Sequence, residues 1–115
     1  MKMESQTMED EQVTILEIGG RFDAYEAPQV RKWFQTQEEA ALKYTIVNLT
    51  QVDFIDSSAL AALVQGMKRC RQINGDLYLS GLQPQVKIIF ELTRLDKAFK
   101  IYETDAEAIE AFNKK

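Results

Sequence analysis

The sequence predicts an α/β domain in which a single mixed sheet of about four or five strands is packed with about four helices. Short runs rich in β-branched and apolar residues alternate along the chain with amphipathic helical patterns. Turn or capping residues separate these patterns, and the 115 residues suffice for one core. We therefore expect one domain over residues 12–115, preceded by a polar segment or edge strand over residues 1–11.

The first strand and helix are predicted from residue type and spacing. Residues 13–18 (VTILEI) are rich in β-branched residues and predict a strand that ends at Gly19-Gly20, followed by a loop over residues 21–24. A helical pattern then covers residues 27–42, and Pro28 suits its first turn.

The central strand is predicted at residues 44–49 (YTIVNL), a nearly continuous apolar run. Such a run is typical of a strand that is covered on both faces. The polar Asn48 lies inside it, and we expect its amide to be hydrogen bonded because buried polar groups are usually paired.

The second half of the chain continues the alternation. Asn74-Gly75 is a helix stop signal, and Thr104 with Glu107 forms a capping box. In order, the chain predicts a helix over 57–73, a strand over 76–82, a helix opened by Pro84, a strand over 98–102 and a final helix.

Composition excludes several classes of function. The net charge is −4 with both signs dispersed, which disfavours nucleic acid and anionic membrane surfaces as partners. There is no histidine, so a Ser-His-Asp triad and a histidine metal site are impossible. No phosphate-cradling glycine loop is present, so we expect no cofactor. The single cysteine, Cys70, lies at an apolar helical position, and we expect it in the core. Since one cysteine cannot form a disulfide within the chain, we also expect a cytoplasmic protein.

The most informative stretch is the strand exit into Asp53-Phe54-Ile55-Asp56-Ser57-Ser58. If Asp56 is the N-cap, both serines lie in the first turn of the following helix, where amide N–H groups lack partners. A phosphate there would be favoured by those groups and by the helix dipole. Capping preference alone also explains serines at a helix start.

Five short motifs within about residues 13–112 carry a resemblance to a known family. They are Gly20-Arg21-Phe22-Asp23-Ala24, Val47-Asn48-Leu49, Asp53-Phe54-Ile55-Asp56-Ser57-Ser58-Ala59-Leu60, Gly75-Asp76-Leu77 and Val86-x-x-Ile89-Phe90-x-Leu92-Thr93. With these motifs the chain resembles the STAS domain, in particular the bacterial anti-sigma factor antagonists of the sporulation and general-stress type.

The resemblance implies a switch rather than an enzyme. An anti-sigma factor that is also a serine kinase would phosphorylate Ser57, and a metal-dependent serine phosphatase would reset it. The unphosphorylated form would bind the kinase and release the sigma factor. We expect a monomer or weak dimer without direct membrane contact. The partner-binding residues implied are Asp23, Asp53, Asp56, Ser57, Ser58, Ala59 and Leu60.

The chain departs from the family at the glycines that usually follow the serines, which are Ala59 and Ala61 here. Alanine stabilises a helix by about 1 kcal/mol relative to glycine at each position, so this helix start should be stiffer. Each added methyl also limits how closely a partner backbone can approach. We expect the fold to be unaffected and the choice of partner to depend on this difference.

Three alternatives stay open from the sequence. The chain could be an unphosphorylated STAS subunit of a stressosome or of a lipid or anion transporter complex. It could be a receiver-like domain that uses Asp53 or Asp56, although residues 18–20 lack the acidic pair which that class needs. Asp23 could serve only as a turn residue that bonds its own loop.

Overall fold

Five strands and five α-helices follow one another along residues 1–8 and 12–114, the part of the chain that the computed structural model describes. A short 3₁₀ turn, Leu95–Lys97, precedes the last strand. No helix among these residues is long and apolar enough to cross a membrane. The order is β1 (Lys2–Met8), β2 (Val13–Phe22), α1 (Ala27–Thr36), α2 (Glu39–Leu42), β3 (Tyr44–Ile55), α3 (Ser57–Gln72), β4 (Asp76–Ser80), α4 (Pro84–Leu92), β5 (Lys100–Tyr102) and α5 (Asp105–Asn113).

The strands form one sheet in the order β1-β2-β3-β4-β5. β1 pairs antiparallel with β2, whereas the other neighbouring strands are parallel. This confirms the predicted α/β fold with a mixed sheet. The segment over residues 1–11 supplies β1, but residues 9–11 lie outside the described part, as does Lys115. The boundary between that segment and a domain over 12–115 stays a prediction.

Each face of the sheet carries its own apolar cluster. Because every parallel connection steps to the next strand in the same direction, right-handed crossovers place α1, α3 and α4 on one face. Helix α5 covers part of the other face, where the Tyr78 and Phe112 rings stack with centroids 3.8 Å apart. The larger cluster includes Leu16, Val47 and Leu79 of the strands with Phe34, Leu63 and Phe90 of the helices.

Helix α5 is fastened to the sheet by a polar cluster. Asp105, in the first turn of α5, accepts hydrogen bonds from Ser80 Oγ at 2.6 Å and from Asn48 Nδ2 at 3.0 Å. The expectation that Asn48 is hydrogen bonded is thus confirmed. Thr104 Oγ1 accepts from the Glu107 amide at 3.2 Å, which confirms one of the two bonds of the predicted capping box.

The single helix predicted over residues 27–42 is wrong, because the chain forms α1 and α2 instead. Gln37 and Glu38 between them are extended, with ψ values of 145° and 148°. The apolar face of α1 ends at Phe34, and the next inward positions would hold these two polar residues. The break allows Leu42 to be buried without them.

Two predicted strand ends were too early. β2 continues through Gly19-Gly20 to Phe22, so the predicted loop over 21–24 is wrong for its first half, and β3 continues past Leu49 to Ile55. The two strands pair along this extension, with Phe22 opposite Ile55. Gly20 adopts φ +91°, which glycine tolerates, at a shift in the β2–β3 register.

The remaining boundaries differ by small amounts. β4 ends at Ser80 instead of 82, and β5 begins at Lys100 instead of 98. The helix predicted over 57–73 is confirmed as α3, which stops where Asn74 takes φ +66°. A Cβ atom on Gly75 would collide with the Lys43 carbonyl oxygen, so the stop requires glycine there.

Candidate functional site

Asp56 joins the start of α3 to the turn between β2 and α1. It is the N-cap of α3, and its Oδ1 accepts from the Ala59 amide at 3.0 Å. Its Oδ2 accepts from the Ala24 amide at 2.8 Å, 32 residues earlier in the chain. The Asp56 amide donates to the Phe22 carbonyl, which continues the pairing of β2 with β3. The predicted N-cap is therefore confirmed.

The two serines occupy the first turn of α3 but differ in exposure. Ser57 is exposed, whereas Ser58 is half-buried. The Ala59 and Leu60 amides are bonded to Asp56, while the Ser57 and Ser58 amides have no protein partner among the described residues. An exposed hydroxyl thus lies beside free N–H groups at the positive end of a 16-residue helix.

Asp23 organises the turn that Asp56 contacts. Its Oδ1 accepts from the Tyr25 and Glu26 amides at 3.1 and 3.2 Å, and its carbonyl accepts from the Glu26 and Ala27 amides. Its Oδ2 accepts from Arg21 Nε at 3.1 Å. Both carboxylate oxygens of Asp23 are engaged, so it acts as a turn residue. Its contact with a partner stays a prediction.

Arg21 and Phe54 form a stacked pair next to this turn. They are opposite one another in the β2–β3 register, and the guanidinium carbon lies 3.7 Å from the ring centroid. A cation at this distance over an aromatic face is attracted by the ring quadrupole. The pair and the Asp23 bond hold Arg21 in place while its side chain stays mostly exposed.

Asp53 lies apart from the other two aspartates in its bonding. It is exposed on β3 at a register shift, where β2 offers no residue opposite to it. Its carbonyl accepts from Gln85 Nε2 of α4 at 3.5 Å. No hydrogen bond between described residues joins its carboxylate to Asp23 or Asp56. The structure therefore connects Asp23, Asp56 and the serines, and leaves Asp53 at the α4 side.

Ala59 and Leu60 point into the core. Ala59 is fully buried, and Leu60 is 7% exposed. Their predicted part in partner binding stays a prediction, and their burial favours an indirect role in which they support the helix start. Ala61 is half-buried. Of the two methyl groups that replace the family glycines, only that of Ala61 can meet a partner.

Residues near the C-terminus of α3 bond to neighbouring elements and stabilise the fold. Arg71 Nε donates to Asp76 Oδ1 at 3.0 Å, and Arg71 Nη2 donates to the Ala98 carbonyl at 2.9 Å. Cys70 is buried, its thiol donates to the Leu42 carbonyl, and burial raises its pKa to about 11. The thiol stays protonated at neutral pH and acts as a core residue, as predicted.

Tyr25 is a feature of this site that the sequence analysis missed. Its side chain is 87% exposed, in the turn that Asp23 and Asp56 hold. The only available signal was an aromatic residue within a short polar loop. No hydrophobic pattern distinguishes such a position from a buried one.

Neither of two grooves formed by the described residues is lined by Asp23, Asp56 or the two serines. A groove of about 520 Å³ lies on the sheet around Glu17, Gly19 and Gln51, and neither serine lines it. No group of three histidine, cysteine, aspartate or glutamate side chains among residues 1–8 and 12–114 could hold a metal ion.

Comparison with known proteins identifies a family. The model of the STAS domain matches residues 4–108. The anti-sigma-B factor antagonist of Listeria monocytogenes is 32% identical over 93 residues, which are 78% of this chain and 79% of that protein.

Solved structures agree with this match. The crystal structure of a putative anti-sigma factor antagonist from Thermotoga maritima superposes with a TM-score of 0.88 at 26% identity, covering 96% of this chain and 94% of that one. The Bacillus cell fate determinant SpoIIAA in its phosphorylated form has a TM-score of 0.74 at 20% identity, covering 96% and 98%.

Proposed function

The chain belongs to the STAS domain family, and on that premise we propose that it is an anti-sigma factor antagonist controlled by phosphorylation of Ser57. Unphosphorylated, it binds an anti-sigma factor that is also a serine kinase. Phosphorylation weakens that binding, and a metal-dependent serine phosphatase restores it. The protein is then a kinase substrate and binding partner in the cytoplasm, and it carries out no catalysis itself.

The observation that carries this proposal is the position of the Ser57 hydroxyl. It is exposed on the first residue of α3, where a kinase can reach it. Ser58 is half-buried one residue later, so Ser57 is the better acceptor. The relative from Listeria is named for antagonism of an anti-sigma factor, which supports the proposed partner.

The structure around Ser57 can accept a phosphate without unfolding. A phosphate adds about −1.5 to −2 charges at neutral pH. The free Ser57 and Ser58 amides and the dipole of α3 would favour this charge by roughly 0.3–1 kcal/mol at an exposed site. The nearby Asp56 carboxylate opposes it, so the two effects partly cancel. SpoIIAA, which has the same fold, has been described in a phosphorylated form.

Phosphorylation therefore acts on the partner rather than on the fold. The phosphate adds bulk to the exposed start of α3, where a docked protein would lie. It also adds negative charge next to Asp23 and Asp56, whose oxygens are held by amides in fixed positions. Acidic or phosphate groups on the partner would be repelled by this surface. We expect loss of affinity with retained folding.

The test combines phosphopeptide mass spectrometry with matched variants. Protein isolated from growing and from stressed cells should carry one phosphate on Ser57 whose occupancy changes with condition. Ser57→Ala should abolish phosphorylation by the purified anti-sigma factor kinase, whereas Ser58→Ala should retain it. Ser57→Asp should weaken binding to that kinase in calorimetry.

A permanent STAS subunit would behave differently. It would carry no phosphate in any condition, Ser57→Asp would keep full activity in cells, and the protein would co-purify in a fixed complex. That combination of results would overturn the phosphorylation switch and support a stressosome or transporter subunit.

A further inference from the structure

Three large hydrophobic side chains among the described residues are exposed, and one of them lies in the turn that Asp56 joins to Ser57. Tyr25 is 87% exposed, Leu92 76% and Ile88 51%. Leu92 and Ile88 lie on α4, whereas Tyr25 lies in the turn between β2 and α1. An aromatic ring that is exposed to this degree buries little area on folding, which leaves its faces available to a docked protein.

The turn presents the Tyr25 ring on a fixed backbone. The Tyr25 amide donates to Asp23 Oδ1, and the Glu26 amide donates to both the side chain and the carbonyl of Asp23. The Ala24 amide donates to Asp56, and the Ala27 amide to the Asp23 carbonyl at 2.8 Å. Four consecutive amides are bonded, so a partner would have little backbone motion to freeze.

The same bonds tie Tyr25 to the start of α3. Ala24, next to Tyr25, is bonded to one oxygen of Asp56, and the other oxygen of Asp56 caps the helix that begins with Ser57. Tyr25 is therefore one residue away from an amide that Asp56 holds, and Ser57 directly follows Asp56 in the chain. A protein docked over Ser57 would also cover the Tyr25 turn.

We propose that Tyr25 is the aromatic anchor of the interface with the anti-sigma factor, inserting its ring into an apolar pocket of that protein. This inference rests on the function proposed above for Ser57. Interface hot spots are enriched in tyrosine, because its large rigid ring buries much area at low entropic cost. Asp23 acts as the positioning residue that orients the ring.

Leu92 supplies a matched control for exposure. Helices α1, α3 and α4 all begin at the carboxyl ends of parallel strands, so Ser57 and Tyr25 lie at that end of the strands. Leu92 is the last residue of α4 and lies toward the amino ends of the strands. It is almost as exposed as Tyr25 but has no bonded connection to Asp56.

The experiment measures affinity for the purified anti-sigma factor kinase of the same organism by calorimetry. Wild-type protein is compared with Tyr25→Ser, Tyr25→Phe and Leu92→Ser, each checked for an unchanged melting temperature. We expect Tyr25→Ser to weaken binding about 30-fold or more, the range of interface hot spots. Tyr25→Phe keeps the ring and should stay within about fivefold. Leu92→Ser should bind like wild type.

The outcomes separate this inference from the proposed function. If wild-type protein binds and Tyr25→Ser binds equally well, the anchor is overturned while the antagonist function stands. Equal losses in Tyr25→Ser and Leu92→Ser would also overturn it, since exposure alone would explain the effect. If wild-type protein does not bind the kinase, both proposals fail.

Discussion

Two aspartates at helix starts, Asp56 and Asp105, use the same chemistry for different ends. Asp56 accepts from two backbone amides, one in α3 and one in the β2–α1 turn, and leaves Ser57 exposed beside it. Asp105 accepts from two side chains, Ser80 and Asn48, and fastens α5 to the sheet. The first arrangement builds a rigid surface, and the second closes part of the core.

The difference shows how a carboxylate's partners decide its role. When a carboxylate is removed, backbone amides at a helix start and in an exposed turn can donate hydrogen bonds to water instead. Ser80 is fully buried and has no such replacement. We therefore expect stability to depend more on Asp105, and partner binding to depend more on Asp56.

Replacing Asp105 by alanine should give the largest loss of stability. It leaves the buried Ser80 hydroxyl and the Asn48 amide without their acceptor, at a cost of about 2–3 kcal/mol. Urea unfolding measures the free energy, and kinase binding of the folded variant should be unchanged. A loss below about 1 kcal/mol would contradict the role assigned to this cluster.

Asp56→Ala should reduce stability less than Asp105→Ala does, but it should weaken kinase binding more. Loss of the N-cap costs about 1 kcal/mol, and the Ala24 amide loses its acceptor as well. The turn that holds Tyr25 is then released from α3, so affinity for the kinase should fall. Hydrogen exchange at Ala24 should accelerate. Asp53→Ala is the control for hydrogen exchange at Ala24, since no hydrogen bond between described residues joins the Asp53 carboxylate to the turn.

The two alanines after the serines sharpen the comparison between core and surface. Ala59→Gly removes a fully buried methyl, and Ala61→Gly removes a half-exposed one. Each should cost about 1 kcal/mol in helix propensity, with an added packing loss for Ala59. Only Ala61→Gly should change kinase affinity. Equal binding effects of both variants would show that the methyl groups act through the helix and not through contact.

Ser57→Asp should have the smallest effect on stability. The added charge is favoured by the α3 dipole and opposed by the Asp56 carboxylate, so the unfolding free energy should change by less than about 1 kcal/mol. Ser57→Asn is the neutral control. Chemical denaturation of both variants checks this, and unfolding of the aspartate variant would contradict a switch that acts on binding alone.

Local features of this chain were predictable because they depend on neighbours in sequence. An amphipathic helical pattern over residues 57–73 predicted α3, and the type of residue at Asp56 predicted its cap. The family resemblance pointed to Ser57. The exposure of Tyr25 could not be predicted, because a lone aromatic residue in a loop has no periodicity.

The sequence by itself determined the alternation of strands and helices, the start of α3 and the capping of α5, because these follow from side-chain period and from bonds within four residues. Tertiary structure alone decided that β2 and β3 extend to Phe22 and Ile55, since each extension is stabilised only by pairing with the other. It also decided that Asp56 reaches Ala24, and that Asp105 reaches Asn48 across 57 residues. Such contacts depend on how the sheet brings distant segments together, which no local pattern encodes.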